Sequence, residues 1–191
     1  MRALKAVVLV GFALFVARTL LDPTNYTILD WANLAIHEAG HLIALPLGEV
    51  PTILGGSVLQ VLLPVALAAE SWWRRHDGFG AGLVLLWAAE SMANVSVYIA
   101  DASARSLPLL TDDPDTHDWW QLLDRWDALE HDSTIAGIVH GAGWLVALCG
   151  VALGALALWR PAAPAITAGA SDEELLQWVA QGASRHDRRA R

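Results

Sequence analysis

Residues 27–48 read TILDWANLAIHEAGHLIALPLG, an apolar run long enough to cross a membrane, with His37-Glu38-Ala39-Gly40-His41 near its centre. Two histidines four apart on a helix project from one face, about one turn from each other, so their imidazoles can share one metal ion. Glu38 adjoins the first of them, where a carboxylate can hold a metal-bound water and take its proton. This H-E-x-x-H spacing is the arrangement used by zinc hydrolases. Ionisable side chains are costly inside lipid and mark function there, so the surroundings sharpen the motif.

The rest of the chain agrees that lipid is the solvent. Hydrophobic residues make up 55% of the 191 and mean hydropathy is +0.41, while charged residues are 17%, against about 25% in soluble domains. The net charge of -8 is local in origin, because eight of the twenty acids fall between Asp112 and Asp132. No basic patch with interleaved aromatics is present, which argues against nucleic acid as a partner. The single Cys149 excludes an intrachain disulfide and a cysteine-based zinc site.

Outward from the motif, apolar blocks alternate with short polar breaks. Lys5–Leu21 reads as an uncleaved first membrane helix, since no small-x-small cleavage site follows it. Thr27–Gly48 reads as a second span carrying the metal motif. Thr52–Ala69 contains Gly55-Gly56 and Pro64, so it reads either as a full span or as a re-entrant segment shielded by protein. Phe79–Ala104 and Ile135–Trp159 complete the set. The expected fold is an all-α membrane protein, a bundle of four to five transmembrane helices with the third block as the re-entrant alternative.

Residues 1–160 form the membrane domain in this reading. Residues 161–191 form a linker, a short amphipathic helix opened by a Ser171–Glu174 capping box, and a basic tail. Lysine and arginine bias places the N-terminus, Arg74-Arg75 and the tail in the cytoplasm and the acidic 105–132 loop outside. A re-entrant third block satisfies all of these positions at once.

The fourth block carries Glu90, Asn94 and Asp101 at i, i+4 and i+11, within about 40° of one another on a helix. Such a polar stripe must face protein rather than lipid. Asn94 and Tyr98 suit a hydrogen-bonded helix seam, and either carboxylate could complete the two-histidine metal site. Depth in the membrane favours Glu90, which is central in its span as the histidines are in theirs.

His37-Glu38-Ala39-Gly40-His41 on one membrane helix, followed by Asn94 and Asp101 on a later one, resembles the site-2 proteases, peptidase family M50. The resemblance covers residues 28 to 105. The prolines of that family's second motif are absent, and Ala102 stands where the family has glycine. The resemblance implies zinc as cofactor, His37, His41 and Asp101 as ligands, and Glu38 as general base. It also implies that Gly55-Gly56 belongs to a hairpin after the zinc helix, where a substrate segment would pair.

Asp112-Asp113-Pro114-Asp115-Thr116-His117-Asp118-Trp119-Trp120 reads first as a solvated acidic loop with an interfacial anchor. His117 and Asp118 are nonetheless candidates to fold over the site as further ligands. The functional expectation is a zinc metalloprotease in a bacterial cell membrane. It would hydrolyse peptide bonds of a membrane-protein or peptide substrate within or beside the bilayer. The alternative is a non-hydrolytic membrane protein that binds or transports metal.

Overall fold

The computed structural model describes residues 1–159, and among these every regular element is a helix. α1 spans Arg2–Leu21, α2 Ile28–Ala44, α3 Glu49–Trp73, α4 Gly78–Ala100, α5 Asp118–Arg125 and α6 Asp132–Trp159. Short 3-10 turns at Leu45–Leu47, Pro114–Thr116 and Leu129–His131 join them. α1, α3, α4 and α6 with its preceding turn are long and apolar enough to cross a membrane. The linker, capping box, short helix and basic tail expected over 161–191 lie outside the described residues.

The second and third blocks differ from the sequence reading. Thr52–Ala69 lies inside one unbroken helix, α3, which runs through both Gly55-Gly56 and Pro64. The re-entrant alternative for this block is therefore corrected. The shorter element is the motif helix itself. α2 has 17 residues, a rise of about 25 Å against a hydrocarbon thickness of about 30 Å. It turns at Leu45-Pro46-Leu47 and runs back along α3 as an antiparallel hairpin. Ile28, Trp31, Leu42 and Ile43 leave one apolar side of α2 uncovered by protein.

α4 is the centre of the bundle. Leu86, Ala89 and Ala93 pack with Leu9, Val16 and Leu20 of α1 and Ala147 of α6. α4 and α6 run antiparallel at close approach, because a Cβ on Gly82 would lie 2.6 Å from the Gly150 carbonyl oxygen. Further along the same pair, Ser96 Oγ lies 3.4 Å from His140 Nδ1, and Ser103 N donates to Asp132 Oδ2 at 3.2 Å. His140 also accepts from Trp144 Nε1 at 3.2 Å, so it serves this helix contact.

The two ends of the bundle carry different chemistry. Lys5 Nζ sits 4.9 Å from the Phe79 ring, and Leu9 meets Gly154. The start of α1, the start of α4 and the end of α6 thus share one end with Arg74 and Arg75. At the other end are Asp101, the start of α6 and α5, whose Arg125 pairs with Glu49 at the start of α3.

Candidate metal centre

α2 begins in a capping box. Thr27 accepts from the Leu29 amide while the Asp30 carboxylate accepts from the Thr27 amide. This satisfies helix-end N–H groups and fixes the phase of the turns that follow. Two turns on, His37 and His41 share a face, with ring centroids 4.8 Å apart. His37 is buried and His41 half-buried.

Their Nε2 atoms converge on one oxygen. His37 Nε2 lies 2.9 Å and His41 Nε2 3.3 Å from Asp118 Oδ2. One ligand atom from each of the three residues lies within 4.8 Å of the other two, so His37, His41 and Asp118 could hold a metal ion. The opposite ring nitrogens are also engaged. His41 Nδ1 lies 2.8 Å from the Thr52 carbonyl oxygen and His37 Nδ1 3.2 Å from Gln60 Oε1. A carbonyl can only accept, so His41 Nδ1 carries a hydrogen, and in the neutral ring Nε2 presents its lone pair. Lone pairs converging on a carboxylate repel unless a cation or proton lies among them. Two imidazoles and a carboxylate form a zinc donor set, so these residues fit that metal.

α3 is shaped to receive the rings. A Cβ on Gly56 would lie 2.5 Å from His37 Nε2, and one on Gly40 would lie 2.2 Å from the Gly55 carbonyl oxygen. Glycines 40 and 55 let α2 and α3 touch, and Gly56 leaves room for the imidazole. Gly55-Gly56 thus has a packing role within a regular helix, in place of the hairpin that the resemblance implies.

Asp118 arrives from outside the span-length helices. His117 caps α5 by accepting from the Trp120 amide at 3.2 Å, and Asp118 is the first residue of that helix. The Asp118 amide donates to Tyr98 Oη at 3.0 Å, and Trp119 Nε1 donates to Ser57 Oγ at 3.0 Å. These contacts dock α5 on α4 and α3 with its first carboxylate over the histidines. Burial pushes the Asp118 carboxyl up, but its contacts with the His37 and His41 Nε2 atoms, which a proton or cation must bridge, outweigh burial and hold the group below its usual range.

Asp101 and Glu90 do not join this group. Tyr98, not Asp101, is the α4 residue at the level of His37, with ring centroids 5.7 Å apart. Asp101 follows at the helix end, where its carboxylate accepts from the Ser106 amide at 3.0 Å and the Leu107 amide at 2.9 Å. Burial raises its pKa, and the bonds from Ser106 and Leu107 more than reverse that. Asp101 Oδ2 also lies 3.4 Å from His117 Nε2, so it stands behind the cap of α5. Among the described residues, the carboxylate brought to His37 and His41 is therefore that of Asp118 and not, as the resemblance implies, that of Asp101. Buried His117 is held below the ordinary imidazole pKa chiefly by loss of solvent. It places its neighbour and is outside the three-residue group. Glu90 meets α2 one turn before His37, accepting from Asn33 Nδ2 at 2.8 Å. Asn94 donates to Asp30 and accepts from Gln60.

Gln60, Thr52, Ser57 and Tyr98 complete the surroundings and were not singled out as site residues in the sequence. Gln60 carried a usable signal, as a buried amide one turn after Gly56 in an otherwise apolar helix. Glu38 is exposed and, among the described residues, has no hydrogen-bond or ion-pair partner. Comparisons with protein families, with curated proteins and with solved structures found no match.

Proposed function

We propose that the chain is a membrane-embedded zinc metalloprotease that hydrolyses peptide bonds beside the bilayer. The observation that carries this reading is the convergence of His37, His41 and Asp118 beside an unengaged Glu38. Bound zinc would lower the pKa of a coordinated water toward neutrality and polarise a carbonyl. Glu38 takes the water's proton and passes it to the leaving amine. His37 and His41 are held by acceptors on their outer nitrogens, and Asp118 supplies the third ligand from α5. The excess of basic residues at the far end of the bundle puts that end in the cytoplasm. The metal centre, close to α5, then faces the outer side, and the substrate is an extended segment at the outer interface.

A second reading is a non-hydrolytic metal-binding or transport protein. The buried polar residues Asp30, Asn33 and Glu90, which continue from the site along α2 and α4, favour it. The Glu38→Gln variant separates the two. Purified protein should hold one zinc by elemental analysis, and Glu38→Gln should keep it. Turnover of a fluorogenic peptide pool should fall by about 10²–10⁴-fold, the contribution of a positioned general base. Undiminished turnover in Glu38→Gln would rule out the hydrolytic mechanism.

A further inference from the structure

We propose that Gln60 and Asn94 are positioning residues that set the tautomer and ring orientation of His37, through a one-directional hydrogen-bond chain anchored at Asp30. The metal-binding part of this inference rests on the zinc reading above; the tautomer part does not.

The chain starts at an atom whose role is unambiguous. Both Asp30 oxygens accept: Oδ2 from the Thr27 amide in the capping box, and Oδ1 from Asn94 Nδ2 at 2.5 Å. A carboxylate has no hydrogen to give, so Asn94 must turn its NH₂ toward Asp30. Its Oδ1 then faces the other way, 2.8 Å from Gln60 Nε2. That in turn directs Gln60 Oε1 to His37 Nδ1 at 3.2 Å. An amide oxygen only accepts, so the hydrogen of the neutral ring sits on Nδ1. In the neutral ring Nε2 keeps its lone pair, so its 2.9 Å contact with Asp118 Oδ2 calls for a proton or a cation between the two atoms. Flipping Asn94 would set two acceptor oxygens 2.5 Å apart. Flipping Gln60 would set its Oε1 against Asn94 Oδ1, again two acceptors, 2.8 Å apart. The sequence of donors therefore has one consistent direction.

Burial makes the direction matter. Gln60 is 2% and Asp30 6% exposed, so water is poorly placed to substitute for a lost partner. The chain uses three helices, with Asp30 and His37 on α2, Gln60 on α3 and Asn94 on α4. His41 reaches the same tautomer by a separate route, the Thr52 carbonyl. Each histidine thus has its own acceptor, and the two acceptors can be tested independently. Outer hydrogen bonds of this kind fix which nitrogen of a ligating histidine is free, and losing one costs about 10–100-fold in metal affinity.

The test uses the full chain in detergent, with zinc affinity read by competition against a chromophoric chelator. His37 ring ¹⁵N shifts are read on the metal-free protein. Gln60→Leu should weaken zinc about 10–100-fold and move the ring hydrogen off Nδ1. Gln60→Glu should recover most of the affinity, because a carboxylate also accepts from Nδ1–H. Asn94→Leu should fall between Gln60→Leu and the parent. A folded Gln60→Leu with parental affinity and an unchanged tautomer overturns the proposal, as does a Gln60→Glu no tighter than Gln60→Leu. If Gln60→Leu does not fold, the parent's shifts still decide, since a His37 Nδ1 without a hydrogen overturns it. If the parent binds no zinc yet carries the hydrogen on Nδ1, the hydrogen-bond chain stands and the zinc reading falls.

Discussion

Gly82 of α4 faces the backbone of Gly150 on α6, and Gly40 of α2 faces the backbone of Gly55 on α3. In both pairs the missing side chain lets two helices touch. The α4–α6 contact continues into Leu86, Ala89 and Ala147 and is apolar through the core. In the α2–α3 contact the next glycine, Gly56, abuts an imidazole, and the next turn offers Gln60 as that ring's acceptor. Close approach in the first region yields packing alone. In the second it yields a slot with a hydrogen-bonding wall. Glycine in a membrane helix is therefore informative about chemistry only when the facing residue is known.

The contrast breaks hardest at the third ligand. Asp118→Ala removes the only carboxylate facing the two Nε2 atoms within the described group. Zinc should become undetectable at micromolar metal in a chelator competition. Asp101→Ala acts one step back, by loosening the turn behind His117, and should weaken zinc by about 10-fold. Equal loss in the two variants, or greater loss at Asp101, would return the ligand role to α4.

Alanine at one glycine from each region sharpens the comparison next. In Gly56→Ala the new Cβ would lie 2.5 Å from His37 Nε2, so the ring must leave its place. Zinc affinity should fall about 10–100-fold, as for other disturbances of a ligand's setting. Gly82→Ala meets backbone at 2.6 Å and should cost about 1–3 kcal/mol of stability by overpacking. Its zinc affinity per folded molecule should stay parental. Thermal unfolding and metal titration on both variants check the split, and a Gly82→Ala that unfolds normally but loses zinc would join the two regions into one.

How much of this was legible in the sequence follows the range of the interactions. The all-α class, the span-length helices over the first, fourth and fifth blocks, and the His37–His41 pair depend on local hydropathy and on an i, i+4 spacing. The third block reads two ways because Gly55-Gly56 and Pro64 weaken a helix locally. Tertiary packing against Gly40 and His37 gives those glycines a use that a single sequence does not display. Asp118 lies 77 residues from His41, in a run whose charge reads as solvated. The cue that α5 folds inward was Leu122 and Leu123, both almost fully buried, beside the two tryptophans. The resemblance favours Asp101, whereas the structure gives the nearby place to Tyr98 and the carboxylate to α5.

The smallest expected effect is at Tyr98, where the two regions meet. Its ring lies against His117 at 4.2 Å between centroids, and its hydroxyl accepts the Asp118 amide. That amide is one of the first N–H groups of α5, which have no partner within the helix. Tyr98→Phe keeps the ring contacts and removes one hydrogen bond, worth about 0.5–1.5 kcal/mol. α5 has other holds, among them Trp119 on Ser57, Arg125 on Glu49, Arg105 over the Trp120 ring, and Asp118 on the histidines. The helix should therefore stay docked, with zinc affinity lowered by less than about 10-fold and faster hydrogen exchange at the Asp118 amide. Exchange spreading over the whole of α5 would mean that Tyr98 is its principal anchor. Asp118 would then be delivered to the metal centre by α4 after all, through a hydroxyl instead of a carboxylate.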